Sequence, residues 1–373
     1  MYDKSFFRRD LLKAAGAFAA GVTLPAELKA AAPEPTAVSQ ALIEAARREN
    51  TVAFYTAMEI PLAKSLAKAF EAKYPGISVR VKRSGAERVF ERIGEEEGVS
   101  LHEVDVVCST DAAHFIHWKR EGLLAPFVPE DAARFLPPDE IDADGMFATV
   151  FALLSPIAYN TRLVVSQEAP KSFLDLLDPR WKGRIVKARP DYSGVILTAT
   201  FLLVRALGWS YFEKLAQQNV TQVLSASEPP KKLARGESAV QADGAGADLM
   251  LAKEAGAPVE VVHPSEGTPL IAAPSAVFKS APHPNAARLF QSYLFSREAQ
   301  QALVDIYALR SFHAQAKEKA GRTPMSTIKM MKPDSVAMEA QREEIKRAMA
   351  RSLERDRAAR WPRLRRLGGI ESA

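Results

Sequence analysis

The strongest constraint on the fold of this chain is a regular alternation of short apolar runs with helical stretches. Residues 51–55 are typical of a short buried strand, and residues 77–81 alternate apolar with polar side chains, as a second strand does. A third strand-like run covers residues 104–108, and the stretches between the runs, residues 60–74 and 86–97, carry apolar side chains at helical spacing. The order strand, helix, strand, helix, strand predicts an α/β fold with a parallel sheet.

The same pattern starts again in the middle third of the chain. Residues 183–187 and 220–224 are strand-like, and Val195 to Gly208 is a strongly apolar helical stretch. Two extended apolar segments, residues 148–159 and 269–278, flank this second pattern. We therefore expect the chain to leave the first α/β unit along one segment and to return along the other.

The length of the chain supports two structural units. A protein of 373 residues exceeds what one hydrophobic core usually organises. We predict a leader over residues 1–32, a first lobe built from residues 33–155 together with 275–373, and a second lobe over residues 156–274.

The predicted leader has the parts of an export signal. Arg8 and Arg9 precede Lys13, a weakly apolar run covers residues 14–24, and small side chains follow up to residues 30–32. The paired arginines resemble the bacterial twin-arginine signal, which implies the twin-arginine translocase as an export partner. The apolar run is too short to span a bilayer permanently. We expect cleavage near Ala30 to Ala32 and a periplasmic protein.

Composition and motifs exclude several classes of function. The net charge of +5 is too small and too evenly spread to favour nucleic acid as a partner. Cys108 is the only cysteine, so no intramolecular disulfide can form, and its place at the end of a strand-like run predicts a buried, inert thiol. The sequence has no Gly-x-Ser-x-Gly elbow, no His-Glu-x-x-His pair and no phosphate-binding P-loop. We therefore predict no cofactor and no enzymatic activity.

Four segments carry a family resemblance. Residues 104–126, 170–183, 266–269 and 296–301 resemble, in this order, periplasmic solute-binding proteins of the ferric-iron-binding type. The resemblance implies the two-lobed type II periplasmic binding protein fold, in which each lobe is a mixed sheet flanked by helices and the ligand cleft lies at the hinge. It also implies a monomer that closes on a small-molecule ligand and delivers it to an inner-membrane ABC permease.

Candidate ligand-binding residues follow the predicted strands, because sites in such folds lie at the carboxyl ends of strands. Hydroxyl groups, glycines and free helix amides at these places together favour an anion. Taken singly, each motif is also an ordinary helix cap or turn. The residues are Thr56, Ala57, Ser84, Gly85, Ser109, Thr110, Asp111, Tyr192, Ser193, Gly194, Asp243 and Gly244.

The nature of the ligand stays open between two classes. Iron-binding members of the family commonly use two adjacent tyrosines after a late crossover strand, whereas residues 241–246 contain no tyrosine here. We therefore favour an organophosphate, phosphonate or carboxylate, and the Asp243 carboxylate favours a zwitterion or a polyol phosphate. A ferric ion would need the oxygen ligands of another set, which is Tyr55, Glu59, Tyr192 and Asp243.

Three further alternatives follow from the sequence. His114 and His117 have the i, i+3 spacing of a metal pair, but we expect ordinary helix packing or surface exposure and predict no metal site. The same trap could report its ligand to a membrane sensor kinase instead of an importer. An exported enzyme is the third alternative, and no carboxylate pair has motif support for it.

Overall fold

The computed structural model describes residues 32–345 and 347–348 of the chain. Residues 1–31 of the predicted leader lie outside this part. Within it, the chain forms two mixed sheets flanked by helices, as the family resemblance implies. In the first α/β unit, the two helices cover Ile60–Lys73 and Ala86–Gly98. Both begin and end within one residue of the predicted helical stretches.

The helices and strands are numbered in chain order. The helices are α1 (Gln40–Glu49), α2 (Ile60–Lys73), α3 (Ala86–Gly98), α4 (Ala112–Arg120), α5 (Glu130–Phe135), α6 (Gly194–Leu207), α7 (Trp209–Ala216), α8 (Glu228–Ala234), α9 (Gly246–Glu254), α10 (Pro284–Leu294), α11 (Arg297–Tyr307) and α12, which is described over residues 335–345. The strands are β1 (Thr51–Thr56), β2 (Ser78–Arg83), β3 (Val106–Cys108), β4 (Leu124–Ala125), β5 (Ala148–Leu154), β6 (Ile157–Asn160), β7 (Ile185–Ala188), β8 (Thr221–Val223), β9 (Val240–Gln241), β10 (Val259–Val262), β11 (Thr268–Phe278) and β12 (Met330–Met331).

The first sheet has the strand order β12, β11, β3, β1, β2, with β4 and β5 also paired to β11. Strand β1 runs parallel to β2 and β3, so the carboxyl ends of these three strands meet at one edge. The buried face of the sheet packs on helices through aromatic side chains. The ring of Phe290 lies 5.0 Å from those of Phe54 and Phe70, both in edge-to-face geometry. This packing fixes α2 and α10 against β1.

The second sheet has the order β10, β6, β9, β7, β8. Strand β7 runs parallel to β8 and β9, which again brings three carboxyl ends to one edge. Helix α6 is buried over its first ten residues, and this explains its strongly apolar sequence. The helix ends at Gly208, whose φ of 75° is one that other residues rarely adopt.

The predicted extended run over residues 148–159 differs from the observed structure. It is divided into β5 and β6 at Ser155 and Pro156, and the two strands belong to different sheets. Strand β5 pairs antiparallel with β11, and the register shifts between Ala273 and Pro274 because proline has no amide hydrogen to donate. These two strands are therefore paired where the chain passes between the sheets.

Cys108, at the end of β3, is fully buried, as the sequence predicts. Its Sγ atom lies 3.9 Å from the carbonyl oxygen of Ala273, and burial raises the pKa of the thiol. A thiol in this state is a weak nucleophile, because the thiolate is the reactive form.

Among the described residues, no single helix is long and apolar enough to span a membrane. In the same part of the chain, α6 and α7 together have the length and apolar composition of such a segment, but they meet at 110°.

Candidate functional site

A cavity of about 770 Å³, part of it open to solvent, lies where the strand ends of the two sheets face each other. Loops that follow β1, β2 and β3 contribute from the first sheet, and loops that follow β7, β8 and β9 contribute from the second. This is the position that the strand-end rule predicts for a ligand. Residues that line the cavity include Ala57, Met58, Glu59, Arg83, Gly85, Ala86, Thr110, Tyr192, Ser193, Gly194, Ser225, Ala226, Ser227, Ala245, Ala247 and Asp248.

Two helices begin at the cavity, one from each side. Helix α3 starts after Gly85 and α6 starts after Ser193, and both of these residues line the cavity. Within the described chain, neither N-cap residue gives its own helix a side-chain hydrogen bond. The first amides of a helix have no partner inside the helix, and its N-terminus carries a partial positive charge. Two helix N-termini in one cavity therefore favour the binding of a negatively charged group.

The two sides of the cavity touch at glycines. A Cβ atom built on Gly194 would lie 3.0 Å from the Cβ of Ala86 and 3.0 Å from the carbonyl oxygen and Oγ1 of Thr110. A Cβ atom on Gly85 would lie 3.0 Å from the carbonyl oxygen of Tyr192. Side chains at either glycine would therefore push the two sides apart.

An acidic group lines another part of the cavity. The Glu59 carboxylate accepts a hydrogen bond from Arg83 Nη2 at 3.0 Å and another from Ser227 Oγ at 3.3 Å. Asp248 lies in the first turn of α9, and burial raises the pKa of its carboxyl group, while the Ser227 hydroxyl acts in the opposite direction. The sequence identifies Glu59 as a possible ferric ligand, whereas it does not identify Ser227 or Asp248.

A family model described as a bacterial extracellular solute-binding protein matches residues 50–305. This chain belongs to that family. Membership confirms the prediction that the protein is not an enzyme, since the family consists of solute-binding proteins.

Several relatives of the solute-binding protein are known. It is 22% identical over 281 residues to the "Probable ABC transporter periplasmic-binding protein y4fP" of Sinorhizobium fredii, and the alignment covers 73% of this chain and 77% of that protein. The periplasmic binding protein AfuA from Actinobacillus pleuropneumoniae, solved with exogenous fructose-6-phosphate bound, is 24% identical with a TM-score of 0.71, and the match covers 82% of this chain and 98% of that chain. Iron-bound HitA from Pseudomonas aeruginosa is 23% identical with a TM-score of 0.69, and the match covers 80% of this chain and 99% of that one. The similarity confirms the predicted type II periplasmic binding protein fold.

The cavity of the solute-binding protein brings together half of the predicted ligand-binding residues. Those that line it are Ala57, Gly85, Thr110, Tyr192, Ser193 and Gly194. The aromatic ring of Tyr192 also lies 5.7 Å from the guanidinium carbon of Arg88, a cation–π distance.

Asp243 does not line the cavity and instead has a structural role. Its carboxylate is buried, forms an ion pair with Lys187 Nζ at 2.9 Å and accepts a hydrogen bond from the amide of Ala188 at 2.9 Å. These contacts tie the end of β9 to β7. The amide of the neighbouring Gly244 donates to Ser155 Oγ at 3.2 Å.

The polar residues Thr56, Ser84, Ser109 and Asp111 also lie outside the cavity lining. Thr56 Oγ1 donates to the carbonyl oxygen of Cys108 at 3.0 Å, and the amide of Ser84 donates to the carbonyl oxygen of Thr56 at 3.2 Å. Ser109 is buried, and Asp111 caps α4 by accepting a hydrogen bond from the amide of Ala113 at 3.0 Å. The Thr56 hydroxyl and the Ser84 amide therefore link the ends of β1, β2 and β3, which carry the cavity loops.

The four oxygen ligands considered for a ferric ion do not meet. Glu59 and Tyr192 line the cavity. The hydroxyl group of Tyr55 instead donates to Glu96 at 2.9 Å, and Asp243 is paired with Lys187. Tyr55 does not join Glu59 and Tyr192 because its side chain points to the face of the sheet that α3 covers.

The two histidines on α4 both contact the ring of Phe90. His114 is fully buried, and its ring stacks on Phe90 at 4.3 Å. Glu87, Asp111 and His114 have the spacing of a metal site, but the guanidinium group of Arg342 from α12 contacts both Glu87 and His114. The side chain of Arg342 thus supplies the positive charge in this cluster.

The missed residues Ser227 and Asp248 obey the same strand-end rule. Residues 225–227 follow β8, and Asp248 follows β9 in the first turn of α9. The rule applied to the loop after β8 would have identified Ser225 and Ser227. No sequence signal distinguishes Asp243 from Asp248, because the buried partner of Asp243 lies on another strand.

Proposed function

We propose that this chain is the periplasmic substrate-binding subunit of an ABC importer and that it captures a small anionic or zwitterionic solute of the organophosphate, phosphonate or carboxylate type. The observation that carries the proposal is the meeting of two helix N-termini, from α3 and α6, in one cavity. The name of the Sinorhizobium relative and the predicted export leader support the periplasmic location and the permease partner.

Ligand binding stabilises the closed arrangement of the two lobes in this proposal. The amides of α3 belong to the first lobe and those of α6 to the second, so an anion that accepts hydrogen bonds from both favours the state in which they are close together. In this proposal, the close approach of Gly194 to Ala86 and Thr110 belongs to the closed state. Closure of this kind is a hinge motion, in which the lobes move as rigid bodies.

A thermal-shift panel tests the proposal. Phosphate monoesters, alkylphosphonates, dicarboxylates and ferric citrate are added singly to the purified protein, because a ligand that binds only the folded state raises the melting temperature. At a hundredfold excess over Kd the stabilisation is about 2.7 kcal/mol. We expect a shift with a phosphate or phosphonate. A panel in which no anion shifts the melting temperature contradicts the anionic ligand class.

Ferric iron is the second candidate ligand. Glu59 and Tyr192 supply carboxylate and phenolate oxygens in the cavity lining, and one structural neighbour is an iron-bound protein. A visible charge-transfer band on addition of ferric ion, lost in Tyr192→Phe, would support iron over an organic anion.

A further inference from the structure

The cavity lining has more negatively charged than positively charged side chains. Its charged residues are Glu59, Arg83 and Asp248, which gives one positive and two negative side chains. Arg83 is already engaged, since its Nη2 atom donates to Glu59 at 3.0 Å and its Nε atom donates to the carbonyl oxygen of Met58 at 3.1 Å. The negative charge of Asp248 therefore has no matching cation in the lining.

The carboxylate of Asp248 also has an unused acceptor. Its Oδ2 atom is buried and has no hydrogen-bond partner among the described residues. The Ser227 hydroxyl beside it has one hydrogen to donate and lies 3.3 Å from Glu59 Oε1. A buried acceptor without a donor is costly, so such atoms in native proteins usually meet a partner. Asp248 is in a ligand cavity, where the partner can come from the ligand.

We propose that the ligand carries an ammonium group in addition to its anionic group, and that Asp248 binds this ammonium group. The inference rests on the proposed capture of an anion at the N-termini of α3 and α6. An anion alone would meet a lining with an excess negative charge, whereas a zwitterion satisfies both parts of the cavity. The chemical class is an aminoalkylphosphonate or the phosphate monoester of an amino alcohol.

The protonation behaviour of Asp248 is consistent with this role. Burial raises the pKa of its carboxyl group most, the Ser227 hydroxyl lowers it, the charge of Glu59 raises it and the charge of Lys231 on α8 lowers it. An ammonium group in contact with the carboxylate would favour the charged form, because an opposite charge lowers the pKa of an acid.

Isothermal titration calorimetry with matched ligands tests the proposal. The probes are 2-aminoethylphosphonate, 2-hydroxyethylphosphonate and ethylphosphonate, followed by O-phosphoethanolamine and ethyl phosphate. We expect the amino compounds to bind about tenfold more tightly than the ethyl compounds, or better, since a hydrogen bond to a charged group is worth at least that factor. The hydroxyl compound should be intermediate. The two amino compounds distinguish a phosphonate from a phosphate ester.

The variant Asp248→Asn assigns the effect to its residue. The preference for the amino compound should disappear in this variant, while ethylphosphonate binds at least as tightly as before. Asp305→Asn is the matched control, because Asp305 is exposed on α11 and does not line the cavity. The wild-type ligand comparison stands even if the variant does not fold.

The outcomes separate the inference from the proposed function. If ethylphosphonate or 2-hydroxyethylphosphonate binds as tightly as 2-aminoethylphosphonate, anion capture stands and the ammonium site is overturned. An unchanged preference in Asp248→Asn also overturns the role of this residue. If no phosphonate or phosphate binds, the proposed anion capture fails and the inference falls with it.

Discussion

Glycine is required at two residues of the cavity for reasons of space alone. At Gly85 and Gly194 an added Cβ atom would lie 3.0 Å from backbone atoms that belong to the other side of the cavity. Such a distance is shorter than ordinary van der Waals contact, so the neighbours would have to move. The absence of a side chain at these residues allows the two sides to approach each other.

We predict that Gly194→Ala weakens ligand binding at least tenfold with little loss of stability. The added methyl group would push α6 away from Thr110 and Ala86, so the proposed closed state becomes costly while the core of each sheet is unchanged. Calorimetry measures the affinity, and small-angle X-ray scattering measures closure. Gly94→Ala is the control, since no atom lies within 4 Å of a Cβ there and alanine stabilises a helix by about 0.5–1 kcal/mol. Equal affinities of wild type and Gly194→Ala would contradict this role.

The buried pair of Asp243 and Lys187 is a second residue-scale feature with a measurable consequence. We predict that Asp243→Asn lowers the free energy of unfolding by about 3–5 kcal/mol, because Lys187 is left as a buried charge without a counter-ion. Urea denaturation measures the change. Asp178→Asn removes a pair with Arg180 on the exposed surface, and its effect should stay within about 1 kcal/mol. A loss of similar size in both variants would argue against a structural role for Asp243.

At the scale of the elements, the periodicity of apolar residues predicts much of the fold. It does not predict which loop side chains line the cavity. Helix α2 buries Leu62, Leu66 and Phe70, which are the residues that its spacing identifies. Loops are different, because their side-chain directions depend on partners far away in the chain. Asp243 and Asp248 lie five positions apart and look equivalent in the sequence. Only the buried Lys187 on another strand separates a structural residue from a cavity residue.

Helix α9 is held in place by charged side chains at its C-terminal end. Glu254, its last residue, accepts hydrogen bonds from Arg322 Nε at 2.6 Å and from Lys319 Nζ at 2.8 Å, and Arg322 also donates to the carbonyl oxygen of Val304 on α11. These cations lower the pKa of Glu254 from its ordinary value of 4.5 to about 2. The carboxylate therefore links the cavity helix α9 to α11.

We predict that the stability difference between wild type and Glu254→Gln depends on pH. A lowered folded-state pKa means that the contribution of Glu254 is fully present above the unfolded-state pKa of 4.5 and is lost as pH falls towards about 2. Urea titrations at pH 7, 5, 4 and 3 should show a difference that is constant above pH 5 and mostly lost by pH 3. A difference that does not change over this range would contradict the assignment.

At the scale of the whole molecule, helix α12 contacts helices that flank both sheets. Met338 and Ile345 pack in the core of the second sheet, and Met338 Sδ lies 3.6 Å from Thr198 Oγ1 on α6. On the same helix, Glu339 pairs with Arg120 of α4 at 2.9 Å, and Arg342 contacts Glu87 of α3. The helix thus contacts both of the helices whose N-termini line the cavity.

We predict that Met338→Ala lowers the free energy of unfolding by about 2–5 kcal/mol, the usual cost of truncating a buried methionine. Val336→Ala is the control on the same helix, because Val336 is 63% exposed, and its effect should stay within about 0.5 kcal/mol. Chemical denaturation measures both. Equal stability of the two variants would mean that α12 does not contribute to the folded core.

The burial of Cys108 makes the protein a suitable scaffold for a fluorescent sensor. Because the native thiol is inaccessible and unreactive, a cysteine introduced on the cavity rim will be the one site that a maleimide dye modifies. Leu224 follows β8 next to the cavity loop and is 47% exposed, so a dye at this residue lies near the edge that would move in the closure proposed above. A change in its emission would report ligand capture directly, without a competing label in the core.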